Sequence, residues 1–288
     1  MAFIEKLASF LGWKKTEGQP TGHPNFAGHS FTGSRMQGGY LLEIRFYGPA
    51  KKFAKDAIYT VAKRFHVRGN TQKNPVPHVT LYGSFSTNDP SKVRSTIEKV
   101  CEKYSFRGSQ NDLVMYKISG FKTFQGASSK VICLDIIPSK KLNDLTTELA
   151  DELNTFCKGQ PWDVRGDKLF HATIAFRDPS LNWKHQQIMN YLSSIRAPSA
   201  DYPVIRVTVI RPGRKILCEY DLIQNRLLNR DEALNGDIFR RSIAIVKELL
   251  YGQNPELAPS SRINFSKRRS KGNVRAQKRR QRTRRRWR

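Results

Sequence analysis

Two short strings decide the fold of this chain: Pro77-His78-Val79-Thr80-Leu81 and Phe170-His171-Ala172-Thr173-Ile174. Each string contains a histidine, one apolar residue, a threonine and a further apolar residue. Successive side chains of a β-strand point to opposite faces. We therefore expect each histidine to share a face with the threonine two positions later, while the apolar residues between and after them point into the core.

The two strings also suggest a chemistry. A single His-x-Thr string arises readily by chance, and its histidine often has only a structural role, bonded to a backbone carbonyl inside a sheet. Two copies in similar apolar surroundings are much less expected by chance. Two imidazoles supply a general base and a general acid, and two hydroxyls can donate hydrogen bonds to a phosphate. These groups are sufficient for attack at phosphorus without a metal.

The predicted elements around the two strings follow a similar order. A strand and a helix precede each motif strand, and a helix follows it. We predict an α+β, bilobal, duplicated fold, in which two antiparallel-sheet lobes with outer helices surround a central cleft. The predicted strands cover 40–47, 77–85, 113–124, 130–137, 169–176, 204–210 and 215–222, and the predicted helices cover 51–65, 90–104, 141–157, 183–195 and 230–251.

Changes in composition divide the chain into four segments. Residues 1–38 are predicted to form an amphipathic helix and a Gly-rich linker, and residues 39–228 the two-lobed domain. Residues 229–256 are predicted to form a C-terminal helical extension, and residues 257–288 a disordered tail rich in Arg and Lys.

The charge of the chain favours a polyanionic partner. Lys and Arg outnumber Asp and Glu by 51 to 24, which gives a formal net charge of +27. The tail has 14 basic residues and no acidic one, so +13 remains on residues 1–256. Nucleic acid, RNA above all, is the first candidate partner, and an anionic membrane surface is the second.

Cysteine usage and the absence of other motifs narrow the class of protein. The four cysteines are scattered and show neither a CxxC pair nor a metal-ligand spacing, which favours a reducing cytoplasm. No apolar run is long enough to span a bilayer, and no signal peptide is recognisable, so we expect a soluble, cytoplasmic protein. The patterns HExxH, GxxxxGK[ST] and GxGxxG are absent, and we expect neither a metal nor another cofactor.

The two strings with their apolar flanks resemble the motifs of the 2H phosphoesterase superfamily, within it the 2′-5′ RNA ligase-like and RNA 2′,3′-cyclic phosphodiesterase branch. The resemblance covers residues 40–222. It implies that His78 and His171 are catalytic, that Thr80 and Thr173 bind the substrate phosphate, and that residues 39–228 form the catalytic domain. It also implies metal-independent opening of 2′,3′-cyclic phosphates at RNA ends to 2′-phosphates, with 2′-5′ RNA ligation as the reverse reaction.

Further residues are candidates for substrate binding, although each also has a structural interpretation. Tyr82 follows Thr80 by two positions, so we expect it on the same face as His78 and Thr80. Arg177 follows the second string, and Phe124 precedes the turn between two strands. Arg45 lies on the first strand and Lys215 on the hairpin. The candidates are therefore Tyr82, Arg177, Phe124, Arg45 and Lys215.

The residues leave two other functions open. The chain could be a non-catalytic module that binds RNA or a nucleotide in the same cleft. It could also be a phosphodiesterase that acts on a small cyclic nucleotide. The two strings are too alike to show which histidine is the base and which is the acid.

Overall fold

The computed structural model describes residues 39–67, 75–126, 129–160 and 168–252. The predicted N-terminal helix and linker and the predicted basic tail lie outside these residues. The described strands are β1 Tyr40–Arg45, β2 His78–Phe85, β3 Met115–Gln125, β4 Lys130–Pro138, β5 His171–Ala175, β6 Asp201–Pro203, β7 Arg206–Arg211, β8 Lys215–Asp221 and β9 Arg226–Leu228. The described helices are α1 Gly48–Phe65, α2 Pro90–Lys103, α3 Lys140–Asn154, α4 Leu181–Ser193, α5 Arg230–Leu234 and α6 Gly236–Tyr251.

The strands form two antiparallel sheets that correspond to each other. The first has the order β2-β1-β7-β8-β9 and the second the order β5-β4-β3-β6. In each sheet the motif strand is at the edge and pairs with the strand that precedes it by one helix. The unit β1-α1-β2-α2 thus matches the unit β4-α3-β5-α4. These features confirm the predicted α+β bilobal fold.

Amphipathic helices cover the sheets, and their apolar residues recur at the spacing of one helical turn. Helix α1 buries Phe53, Ala54, Ala57 and Val61 against the main core, and α3 buries Leu142, Leu145, Leu149 and Leu153 in the same way. Asp89 begins α2, because its side chain accepts a hydrogen bond from the Lys92 amide at 2.9 Å. The helices therefore hold β2 and β5 from outside and leave their other faces for the site.

The C-terminal helices pack on the first sheet around a second, smaller core. Val246 of α6 lies with Leu113, Ile205 and Ile223 in this core. The prediction of one helix over 230–251 is wrong, since the chain forms two helices separated at Asn235. The Asn235 side chain accepts a hydrogen bond from the Asp237 amide at 2.8 Å and so begins a new helix.

All four cysteines are buried free thiols, namely Cys101, Cys133, Cys157 and Cys218. Burial raises the pKa of Cys133 and of Cys218 to about 12, so these thiols stay protonated at neutral pH. They behave as small apolar core residues, as their sequence contexts indicate. Within the described residues, no helix has both the length and the apolar character needed to cross a membrane.

Candidate active site between the two sheets

The two motif strands meet where the two sheets come together. β2 and β5 are edge strands of different sheets and lie against each other. The apolar residues of the strings are buried, namely Val79, Leu81, Ala172 and Ile174. The polar residues are partly exposed, namely His78, Thr80, His171 and Thr173. The structure thus places these four polar side chains as predicted, on the accessible face of their strands.

Each imidazole is held by the carbonyl of the residue two positions earlier, just before its strand begins. Nδ1 of His78 lies 2.9 Å from the Val76 carbonyl, and Nδ1 of His171 lies 2.9 Å from the Leu169 carbonyl. A carbonyl oxygen only accepts hydrogen bonds, so Nδ1 carries the hydrogen in both rings. Nε2 is therefore the nitrogen that can take or give a proton in the cleft. Both rings therefore make the backbone contact that is typical of a structural histidine.

The surroundings of His171 favour its neutral form. The pKa of His171 is lowered first by burial and then by the positive charges of Lys168, His78 and Lys122, while the bond to the Leu169 carbonyl acts in the opposite direction. The ring of Phe124 meets the imidazole edge to face, with 5.1 Å between the ring centroids. At neutral pH, His171 is thus a proton acceptor in a partly apolar wall.

The surroundings of His78 are different, because a buried carboxylate faces it. Oε2 of Glu43 lies 3.7 Å from Nε2 of His78, and Glu43 is only 4% exposed. Glu43 sits on β1 opposite Thr80, and Arg45 sits opposite His78, so all four lie on one face of the sheet. A protonated His78 forms an ion pair with Glu43. The environment therefore breaks the symmetry that the two strings share in sequence.

Sequence reasoning overlooked Glu43, Lys122 and Lys168. A signal for Glu43 was present, because it is a carboxylate between Leu42 and Ile44 in an otherwise apolar strand. Glu43 lies opposite Thr80 because β1 pairs with β2, and the sequence alone does not reveal this pairing. The two lysines could not be distinguished from the many basic residues of the chain.

Two of the five additional candidates lie at the site. Arg45 pairs with His78 across the sheet, and its Nε donates to Oε1 of Glu43 at 2.7 Å. Phe124 contacts His171 through the ring pair described above. These two side chains are thus neighbours of the two imidazoles.

The expectation that Tyr82 shares the face of His78 and Thr80 is wrong. The pairing of β1 with β2 shifts by one residue between Glu43–Thr80 and Leu42–Tyr82. Because paired residues share a face, Tyr82 lies on the face of Leu42, opposite that of Thr80. Tyr82 is fully buried in the core, and its hydroxyl donates to the Asn154 side chain.

The remaining two candidates lie elsewhere. Lys215 pairs with Arg211 at the hairpin, at the end of the first sheet opposite to Arg45 and His78. Arg177 lies two residues after the end of β5, has a positive φ of 58°, and places its guanidinium 5.4 Å from the ring centroid of Phe176. Among the contacts of the described residues, none joins Lys215 or Arg177 to either imidazole.

Comparison with known families agrees with this geometry. The family model described as the 2′-5′ RNA ligase superfamily matches residues 54–215, more than half of the chain. The chain belongs to this superfamily. The matched residues include both motif strands of the superfamily but neither β1, with Glu43 and Arg45, nor the helices α5 and α6. The family resemblance inferred from the two strings is confirmed.

Solved structures with a similar chain include two of Usb1 from Kluyveromyces marxianus. One is Usb1 itself, with 12% identity, coverage of 66% of this chain and 97% of that chain, and a TM-score of 0.37. The other is Usb1 with uridine monophosphate, with 12% identity, the same coverage and a TM-score of 0.36. A structure described as a phosphoesterase has 14% identity, covers 67% of this chain and 93% of that chain, and has a TM-score of 0.35. No curated protein sequence matches the chain.

Proposed function

We propose that this protein is a metal-independent phosphoesterase that opens 2′,3′-cyclic phosphates at RNA ends to 2′-phosphates. The observation that carries the proposal is the pair of imidazoles on adjacent edge strands, each with Nδ1 bonded to a carbonyl and each followed by a threonine on the same face. Membership of the 2′-5′ RNA ligase superfamily supports RNA as the substrate class.

We infer the two proton-transfer roles from the different surroundings of the two histidines. His171, whose pKa is lowered, is the general base: its Nε2 takes a proton from water as the water oxygen bonds to phosphorus. His78, facing Glu43, is the general acid: its Nε2 gives a proton to the ribose 3′ oxygen as the bond from phosphorus to that oxygen breaks. The product carries a 2′-phosphate and a 3′-hydroxyl.

The threonines would act on the charge that develops at phosphorus. Thr80 and Thr173 lie two positions after the histidines, on the same faces, and their hydroxyls can donate to the non-bridging oxygens. Lys122 and Lys168 add positive charge near His171 and so favour a phosphate there. The same residues would account for 2′-5′ ligation if the 5′-hydroxyl of a second RNA replaced water: its oxygen would bond to phosphorus and give its proton to His171, while the bond from phosphorus to the ribose 3′ oxygen breaks and that oxygen takes the proton of His78.

Further predictions accompany this function. We propose that residues 39–228 form the catalytic domain, that residues 229–256 extend it, and that residues 257–288 bind RNA backbones without choosing the bond that is opened. Basic residues in the last segment support this role through their attraction to phosphates. We also propose a cytoplasmic location, in keeping with four cysteines that form no disulfide.

The direct test uses an RNA oligonucleotide that ends in a 2′,3′-cyclic phosphate, incubated with the full chain in EDTA. We expect a 2′-phosphate product, identified by phosphorus NMR, and a loss of about 10²-fold or more in rate for His78→Ala and for His171→Ala. His185→Ala is the matched control, because His185 contacts Lys130 and Asn182 and is outside the site. Absence of product, or undiminished activity of both site variants, would refute the proposal.

Two related experiments separate the alternatives. A cyclic mononucleotide used in parallel, with and without residues 257–288, distinguishes RNA from a small substrate. Preference for the mononucleotide with no effect of the tail would favour the small cyclic nucleotide. Binding of the oligonucleotide without turnover would indicate a non-catalytic binding module.

A further inference from the structure

We propose that Glu43 is a positioning residue, which keeps a proton on Nε2 of His78 and holds the imidazolium ready to donate it. This inference rests on the proposed function, since it concerns the same site. Glu43 is too buried to meet a substrate, and it therefore acts through His78.

The two carboxylate oxygens of Glu43 have different partners. Oε1 accepts a hydrogen bond from Nε of Arg45 at 2.7 Å, and Oε2 faces Nε2 of His78 at 3.7 Å. The Arg45 bond fixes the plane of the carboxylate and so directs its second oxygen at the imidazole. A buried carboxylate is costly unless it is paired, and a proton on His78 supplies the second pairing.

Glu43 is also the first member of a row of alternating charges across the first sheet. Arg45 Nη1 lies 3.8 Å from Glu219 Oε1, Arg206 Nη1 donates to Glu219 Oε2 at 2.9 Å, and Arg206 Nε donates to Asp221 at 3.1 Å. The row contains three carboxylates and two guanidinium groups, Glu43, Arg45, Glu219, Arg206 and Asp221. A protonated His78 makes the whole row electrically neutral, and a neutral His78 leaves one negative charge without a counter-charge.

Other charged groups around His78 act against its proton. They are Arg45 on β1 and His171 on β5, with Lys122 and Lys168 beyond His171 and Lys51 beyond Arg45. Within the described residues, Glu43 is the carboxylate that faces the imidazole among these cations. Its removal should therefore release the proton at lower pH.

The test is the pH profile of Glu43→Gln, which keeps the size and the acceptor oxygen of the side chain but removes its charge. We expect the alkaline limb of kcat/KM to move to lower pH by about one unit, because an opposite charge at this distance has an effect of that order. Above the limb, kcat should fall about tenfold, while KM stays within about twofold, since Glu43 does not touch the substrate. Glu152→Gln, which removes a surface carboxylate paired with Lys99, should leave the profile unchanged.

A second measurement does not depend on catalysis. The titration of the His78 ring, followed by NMR in the free protein, should move to lower pH in Glu43→Gln, whether or not the protein acts on RNA. Glu43→Asp keeps the charge but moves it away from His78 by one methylene, so it should shift the titration of His78 by less and in the same direction. This variant replaces Glu43→Gln in the test if Glu43→Gln does not fold. An unchanged His78 titration would overturn the role of Glu43. A shifted titration without turnover of any cyclic phosphate would instead refute the proposed function alone.

Discussion

Replacement of Arg206 by methionine tests whether the row of charges on the first sheet holds the fold together. Arg206 is 7% exposed, and its guanidinium bonds to Glu219, to Asp221 and to the Ala233 carbonyl at 3.0 Å. It also lies 4.9 Å from the ring centroid of Phe239 on α6. The side chain therefore joins two strands to both C-terminal helices.

The expected loss follows from what the variant leaves behind. Methionine fills most of the space, but Asp221 remains buried without a cation, and Glu219 keeps only its longer pairing with Arg45. Breaking a buried ion pair by removing one partner costs about 3–5 kcal/mol, because a charge remains without compensation. For a domain of this size that corresponds to a fall in Tm of roughly 6–20 °C.

The assay is urea and thermal unfolding followed by circular dichroism at 222 nm, with the wild-type chain in parallel. Addition of Asp221→Asn to Arg206→Met should restore part of the stability, because the uncompensated carboxylate is removed. Arg240→Met is the control, since Arg240 pairs with Asp237 on the exposed surface of α6, and it should not change the midpoint measurably. A loss of less than about 1 kcal/mol for Arg206→Met would refute the reasoning.

Two further predictions concern the other sheet and the core. Lys168→Met should raise the pKa of His171 towards its ordinary value, because it removes one of the positive charges that, with burial, lower this pKa. NMR titration of the ring should show the change, and the acid limb of kcat/KM should move to higher pH; an unchanged titration of His171 would contradict the prediction. Gly159→Ala should lower the free energy of unfolding by about 1–3 kcal/mol, because the added Cβ would collide with the buried hydroxyl of Tyr82. Urea unfolding measures this loss, and a variant as stable as the wild type would show that Tyr82 can move aside.

The residues that sequence predicted well are those whose signal is local. The alternation of faces in the two strings depends only on neighbouring residues, so the exposed positions of His78, Thr80, His171 and Thr173 could be predicted. The order of strands and helices repeats along the chain, which indicated two similar lobes. The break between α5 and α6 had a local signal too, since Asn235 followed by Gly236 is a common helix boundary, but the prediction of one helix over 230–251 missed it.

The features that sequence missed depend on pairing between distant segments. Tyr82 leaves the face of Thr80 only because β1 and β2 pair with a one-residue shift. Glu43 reaches His78 only because these strands are adjacent. The strands β6 and β9 have three residues each, which is too short for a period to be recognised.

The backbone bonds of the two imidazoles have a consequence for how such a site can originate. Each ring takes its orientation from a carbonyl two residues earlier, so one short continuous segment carries a complete half-site with the hydrogen already on Nδ1. Copying one strand–helix–strand–helix unit copies that half-site intact. Two identical units related by a twofold axis would already bring together two histidines and two threonines. The gain from joining them in one chain is that the two halves can then diverge. The carboxylates beside the histidines show such a divergence, because Glu43 faces the imidazole of His78, whereas Asp135, opposite His171, pairs with Lys122.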